Sequence, residues 1–182
     1  MTGIKVENIV ATAVIADEIV LEKVRKHLKG GEFSPARFPG LIYHTHRPKS
    51  AVLLFRSGKL VCTGTKTLDE VKKVITGIVK TLKKHNLDVI AKPEIHVQNI
   101  VASADLETKI DLVQIAMTFG IERIEYEPEQ FPGLVYRGKE PKVVMLLFSS
   151  GKIVCTGGKN LSDIKLAVEK LKNDLSAAGF LR

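Results

Sequence analysis

The sequence predicts an α+β fold made of two copies of one unit around an antiparallel sheet. Three observations carry that prediction. Residues 38–66, FPGLIYHTHRPKSAVLLFRSGKLVCTGTK, return as residues 131–159, FPGLVYRGKEPKVVMLLFSSGKIVCTGGK, identical at 18 of 29 positions without a gap. Upstream, VENIVATA from Val6 is answered by VQNIVASA from Val97, an offset of 91 against 93 for the longer segment. Each copy also shows the same succession of strand and helix patterns, so the 182 residues divide into repeats 1–91 and 92–182, joined near Pro93 into one fused structural unit.

The elements follow in order. A strand is expected over about Ile4–Val14. A helix follows over about Asp17–Leu28, with Leu21, Val24 and Leu28 on one face and Gly30-Gly31 ending it. Phe38-Pro39-Gly40 makes a turn and Leu41–Thr45 leaves it extended. Ala51–Arg56 and Lys59–Thr63 are strands joined at Ser57-Gly58, a tight hairpin signal. A long helix runs over about Leu68–His85, opened by a capping-box pattern of Thr67 and Glu70. Its apolar stripe is Leu68, Val71, Ile75, Ile78 and Leu82; Leu161, Ile164, Val168, Leu171 and Leu175 repeat it in the second copy.

Composition sets outer bounds. Hydrophobic residues make up 45% and charged residues 26%, which suits a packed core. No apolar run reaches the roughly 20 residues that span a membrane, and Met1–Val10, interrupted by Glu7 and Asn8, does not read as a signal peptide. An intracellular protein is therefore expected. Cys62 and Cys155, both in Val-Cys-Thr-Gly, are expected to be reduced and buried, with no second ligand at metal spacing. The net charge is +8, and it is uneven: residues 1–91 hold 16 Lys/Arg against 8 Asp/Glu, residues 92–182 hold 12 against 12. A basic balance favours a polyanionic partner without naming it.

The hairpin strands carry an anomaly. In AVLLF (51–55) and VVMLLF (143–148) both alternating faces are apolar. A sheet with one solvated face alternates apolar with polar, so these strands expect cover on both sides. Each unit supplies two helices, and both stripes can pack on one side. The other face is then either a binding surface or is buried in a sandwich or a dimer, and the pattern leaves that choice open.

These residues also resemble a known family. NIVA, EQFPGLVYR, LLFSSGK and VCTG are similar to the repeat signatures of the TATA-binding protein family, archaeal kind, over about Ile4–Leu175 and in both repeats. The resemblance implies a pseudo-twofold saddle of two β-α-β4-α repeats. A curved ten-stranded antiparallel sheet would have its helices on the convex face and its concave face in the DNA minor groove. It implies a general transcription initiation factor that binds the TATA box, bends the DNA and recruits transcription factor B and, indirectly, RNA polymerase, in the nucleoid-associated cytoplasm of an archaeal cell. A paralogue serving a subset of promoters is the alternative, as is an enzyme or ligand binder on a similar scaffold. The second alternative lacks support, since the chain has no P-loop, no G-x-G-x-x-G and no metal-spaced cluster; His44 and His46 lack a carboxylate partner. No catalytic residue, metal or cofactor is expected. The sequence leaves open a homodimer that hides the concave face when DNA is absent.

Roles carry over residue by residue from the resemblance. Phe38 with Phe55, and Phe131 with Phe148, match two intercalating wedge pairs. Asn8 and Asn99, with Thr63 and Thr156, match polar groups that hydrogen-bond the adenine N3 and thymine O2 acceptors of the groove floor. Val10, Leu53, Val61, Val101, Leu146 and Val154 match the dry contacts on the same face. Lys59, Lys66, Arg137, Lys152 and Lys159 match the phosphate-contacting rim. His44 departs from the pattern, standing where the second repeat has Arg137, so that its phosphate contact would depend on ionisation. Glu125, Glu127 and Glu129 match the acidic docking stretch for transcription factor B; the first repeat has only Glu32 and Arg37 there, and this difference would give the complex a direction. Lys72, Lys73, Lys80, Lys83, Lys84 and His85 give the first long helix a basic face, against Lys165, Lys170 and Lys172 on the second. That face reads as a solvated helix surface, with a regulator or flanking DNA as the alternative user, and the +8 charge departs from the acidic character common in archaeal members.

Overall fold

A computed structural model describes residues 3–181 of the chain. Its elements run β1 (Lys5–Val14), α1 (Leu21–His27), β2 (Glu32–Phe33), β3 (Leu41–His46), β4 (Lys49–Leu54), β5 (Lys59–Thr65), α2 (Leu68–Lys84), β6 (Ile95–Asp105), α3 (Leu112–Phe119), β7 (Ile124–Glu125), β8 (Leu134–Arg137), β9 (Val144–Leu147), β10 (Lys152–Gly158) and α4 (Leu161–Ala177). The ten strands form one sheet in the order β2-β3-β4-β5-β1-β6-β10-β9-β8-β7. This is the α+β class the repeats predict, with one strand–helix–strands–helix series in each copy.

By packing, the chain forms two compact units: residues 8–98, and residues 1–7 with 99–182. We call them the first and second unit. In the first, β3, β4 and β5 form an antiparallel meander in continuous register, Ile42 opposite Leu53 and Leu53 opposite Val61. In the second, Val135 faces Leu146 and Leu146 faces Val154 in the same way.

Period-2 alternation then decides which side is core. In the first unit Ala11, Ala13, Val52, Leu54, Leu60 and Cys62 are buried and meet Val71, Ile75, Ile78 and Leu82 of α2. In the second, Ala102, Met145, Leu147, Ile153 and Cys155 meet Ile164, Val168, Leu171 and Leu175 of α4. Burying each large aliphatic side chain contributes roughly 1.5–3 kcal/mol, so truncating Leu82, fully buried, costs about 2–5 kcal/mol. Both thiols are free and buried. Burial pushes the Cys155 thiol up to about 11. It also raises Cys62, where hydrogen bonds with Thr65 and Ser50 pull the other way.

Three expectations need correction. Helix α1 starts at Leu21, not at Asp17. The preceding residues are tied to the β4–β5 turn and bend at Asp17 and Glu18 instead, the Ile15 N–H donating to Gly58 O and the Ile19 N–H to Arg56 O, each at 2.8 Å. Leu68 and Leu161, assigned to the apolar stripes, are 51% and 43% exposed. Each is the first helical residue after its cap and points away from the sheet. The Thr67 cap forms, its hydroxyl accepting from the Glu70 N–H at 3.1 Å, but the Glu70 carboxylate accepts from the Lys66 N–H, at 2.7 Å, where a capping box would have it accept from Thr67. In α4 the cap is Asn160, whose Oδ1 accepts from the Asp163 N–H at 2.8 Å.

Candidate nucleic-acid interface

Neither unit covers its second sheet face. In the first unit Asn8, Val10, Thr12, Ile42, Ala51, Leu53, Phe55, Val61 and Thr63 are all half-buried, alternating with fully buried neighbours. Their repeat counterparts in the second unit, from Asn99, Val101 and Ser103 through Val135, Val144, Leu146, Phe148, Val154 and Thr156, have the same half-burial. Every residue assigned to groove contact therefore lies on this open face. Thr12, Ser103, Ile42, Val135, Ala51 and Val144 lie there too. All six lie within the repeated segments, and the alternation that sets Val10, Leu53 and Val61 on this face sets them there too.

The polar groups on this face are held in a defined orientation. Between β1 and β5, Ile9 pairs with Thr65 and Ala11 with Cys62, so Val10 stands opposite both Thr63 and Gly64. That extra residue is a bulge, with Gly64 at φ +91°, a conformation costly for any residue with a Cβ. The bulge frees the Gly64 N–H from the ladder, and it donates to Asn8 Oδ1 at 2.7 Å. Asn8 Nδ2 in turn donates to Thr63 Oγ1 at 3.2 Å. The second unit repeats the arrangement: Gly157 at φ +93° donates to Asn99 Oδ1 at 2.7 Å, and Asn99 Nδ2 donates to Thr156 Oγ1 at 3.1 Å.

This arrangement fixes what the face can offer. With its oxygen claimed by a backbone N–H, each amide turns its nitrogen outward and keeps one proton for a ligand. Each threonine hydroxyl also lies 3.4 Å from the amide oxygen, to which it can donate, so the amide proton is the donor the cluster leaves for a ligand. Each unit thus presents a donor set in an apolar field.

Aromatic pairs stand beside each field. Phe38 and Phe55 pack edge to face, centroids 5.7 Å apart at 64°; Phe131 and Phe148 do so at 6.0 Å and 71°. The Phe-Pro-Gly turn explains the packing. A Cβ on Gly40 would meet Phe38 Cε1 at 2.8 Å and Phe55 Cε1 at 3.1 Å; on Gly133 it would meet Phe131 Cε1 at 2.7 Å and Phe148 Cε1 at 3.1 Å. These glycines are the seats of the rings, whereas the sequence marked Phe-Pro-Gly only as a turn. Phe131 stays 41% exposed, high for so large an apolar ring.

The cations assigned to the rim, Lys59, Lys66, Arg137, Lys152 and Lys159, are all exposed, as is His44. Arg137 differs from the others in contacting Glu125 at 3.5 Å. Glu125, Glu127 and Glu129 are exposed in the segment leading to Phe131, where the Glu127 carbonyl accepts from the Phe131 N–H at 2.9 Å. In the second unit a hollow of about 720 Å³ lies on the open face, lined by Lys5, Ser103, Phe148, Lys152 and Val154 among others. Among the described residues no group of three His, Cys, Asp or Glu side chains could hold a metal ion, and no helix is long and apolar enough to cross a membrane.

Comparison with known proteins agrees with this geometry. A model of the family described as "Transcription factor TFIID (or TATA-binding protein, TBP)" matches twice, at residues 3–85 and 94–178. The chain is 55% identical over 181 residues to the TATA-box-binding protein of Picrophilus torridus, covering 100% of this chain and 98% of that one. It is 50% identical to the TATA-box-binding protein of Archaeoglobus fulgidus, covering 98% and 97%. The solved structure of Methanococcus jannaschii TBP superposes with a TM-score of 0.90 at 47% identity, over 97% of this chain and 99% of that one.

Proposed function

Since the chain belongs to the TATA-binding protein family, we propose that it is a transcription initiation factor that binds the minor groove of A·T-rich promoter DNA. Each repeat, 1–91 and 92–182, supplies one half-site. The observation that carries this reading is the pair of amide donors of Asn8 and Asn99, each held by its neighbouring threonine, Thr63 or Thr156, in an otherwise apolar face. The minor-groove floor of A·T pairs offers only acceptors, adenine N3 and thymine O2, whereas guanine adds a donor. Donors in a dry field therefore accept A·T and meet guanine with an unmatched amino group.

The remaining roles follow the same geometry. Phe38 with Phe55 and Phe131 with Phe148 act as wedges that unstack a base step and kink the duplex, replacing lost stacking with ring surface. Val10, Leu53, Val61, Val101, Leu146 and Val154 exclude water from the groove. Lys59, Lys66, Lys152, Lys159 and Arg137 contact phosphates, adding affinity that falls with salt but little sequence choice. Glu125, Glu127 and Glu129 receive the basic surface of transcription factor B, through which RNA polymerase is recruited.

A gel-shift titration tests the reading. A duplex with a TATA core is expected to bind at least tenfold more tightly than a G·C-rich duplex of equal length, on the order of the cost of one or more mismatched pairs. Equal affinity for the two would overturn it.

A further inference from the structure

Two repeat-related positions on the open face carry opposite chemistry. They are Glu7 of the second unit and Gln98 of the first, which differ by the 91-residue offset of the first motif. Ser103 Oγ donates to Glu7 Oε1 at 2.8 Å. Gln98 Nε2 donates to Thr12 Oγ1 at 2.8 Å. Both hydroxyls belong to the open face, because Ser103 is in register with Val154 and Thr12 with Val61. The side chains they hold therefore reach that face as well.

Proton accounting separates the two positions. A serine hydroxyl has one proton, and Ser103 spends it on Glu7, so the pair offers only lone pairs to a ligand. Gln98 spends one amide proton on Thr12 and keeps another, and Thr12, accepting, keeps its own. That pair offers donors. Glu7 is already engaged by Ser103 and lies 3.9 Å from Lys5. A carboxylate has about four acceptor sites across its two oxygens. Ser103 also lacks the methyl group of Thr12, leaving more room above it.

Resting on the minor-groove reading above, we propose that Glu7 is a specificity-determining residue that accepts a hydrogen bond from the exocyclic amino group of guanine. The base pair it faces tolerates G·C, while the counterpart read by Gln98 and Thr12 demands A·T. The guanine amino group is the only base-edge donor in the minor groove, and Glu7–Ser103 is an acceptor set for it. The two halves of the bound element then carry different sequence requirements at matched positions, although Asn, Thr and the wedge rings are identical in the two repeats.

The test scans a TATA duplex, replacing one A·T pair at a time with G·C, and measures each affinity by gel shift. The wild type, Glu7→Gln and Gln98→Glu are compared. The wild type is expected to lose threefold or less at one position. Glu7→Gln is expected to bind the unsubstituted duplex more tightly and to lose roughly tenfold at that position alone, about one charge-assisted hydrogen bond. Gln98→Glu is expected to relax discrimination at the counterpart position. A change by one common factor across all duplexes for Glu7→Gln, or an unchanged profile for both variants, overturns the proposal. Failure of the wild type on the unsubstituted duplex is a different result, and sinks the minor-groove reading itself.

Discussion

The backbone N–H of Gly64 donates to the side-chain oxygen of Asn8 at 2.7 Å, and this single bond decides which end of the amide faces outward. Asparagine in mid-strand disfavours a sheet. Here it satisfies a backbone group that the bulge has removed from the ladder, so it serves the fold and the face together. That dual role makes the two effects separable.

Asn8→Asp keeps an oxygen for the Gly64 N–H and replaces the outward donor with an acceptor. Affinity for TATA duplex is expected to fall more than tenfold, the cost of a buried polar mismatch. The melting temperature is expected to shift by only a few degrees. Gel shifts beside thermal melts check both.

Phe148→Ala removes one ring of the second pair. Bending of a doubly labelled duplex, read by fluorescence transfer, is expected to drop clearly. The half-buried ring limits the stability loss to about 1–3 kcal/mol, at or below the low end for a fully buried Phe. Unchanged bending would count against the wedge.

Gly133→Ala leaves both rings in place and lifts them. Its new Cβ would lie 2.7 Å from Phe131 Cε1, so the rings must move at a cost of about 1–3 kcal/mol. Bending is expected to fall although no ring atom is lost. Gly40→Ala is expected to act the same way on the first pair.

Glu127→Lys with Glu129→Lys reverses two exposed charges next to Phe131. Ternary assembly with transcription factor B on DNA is expected to weaken at least tenfold, with binary DNA binding changed less than threefold. A gel-shift titration of the factor decides it, and normal ternary assembly refutes the docking role.

Cys155 gives a pH signature. Its thiol titrates at about 11 in the fold against 9.0 in an open chain. A group raised on folding contributes stability that is whole below the lower value and lost as pH climbs through the upper one. The melting temperature is expected to decline between pH 9 and 11, by up to about 2–3 kcal/mol of stability. Cys155→Ala is expected to flatten that decline.

How much of this was readable from the chain alone depended on whether the controlling contacts were local. Period-2 alternation placed Val10, Leu53 and Val61 on one face and Cys62 on the other, because each strand's face is set by its own residues. The start of α1 was not readable. Ile15 and Ile19 are tied to Gly58 and Arg56, some forty residues away, and the chain bends between them instead of starting the helix. Alternation also fails at the neighbours Glu7 and Asn8. Both reach open-face partners, Ser103 and Thr63, and only the bulge and the strand pairing reveal it. The glycine seats were signalled by the repeated turn, but their purpose emerged only with the rings in view.

Those seats have a consequence for kinetics. Each ring pair is already locked edge to face with its rotamers chosen, so the entropy of ordering it is lost when the protein folds. Association then carries no such penalty and needs no prior rearrangement at the wedges. Encounter frequency and the deformability of the duplex are left to set the on-rate. Loosening a seat is expected to slow association well before it shortens the lifetime of complexes already formed.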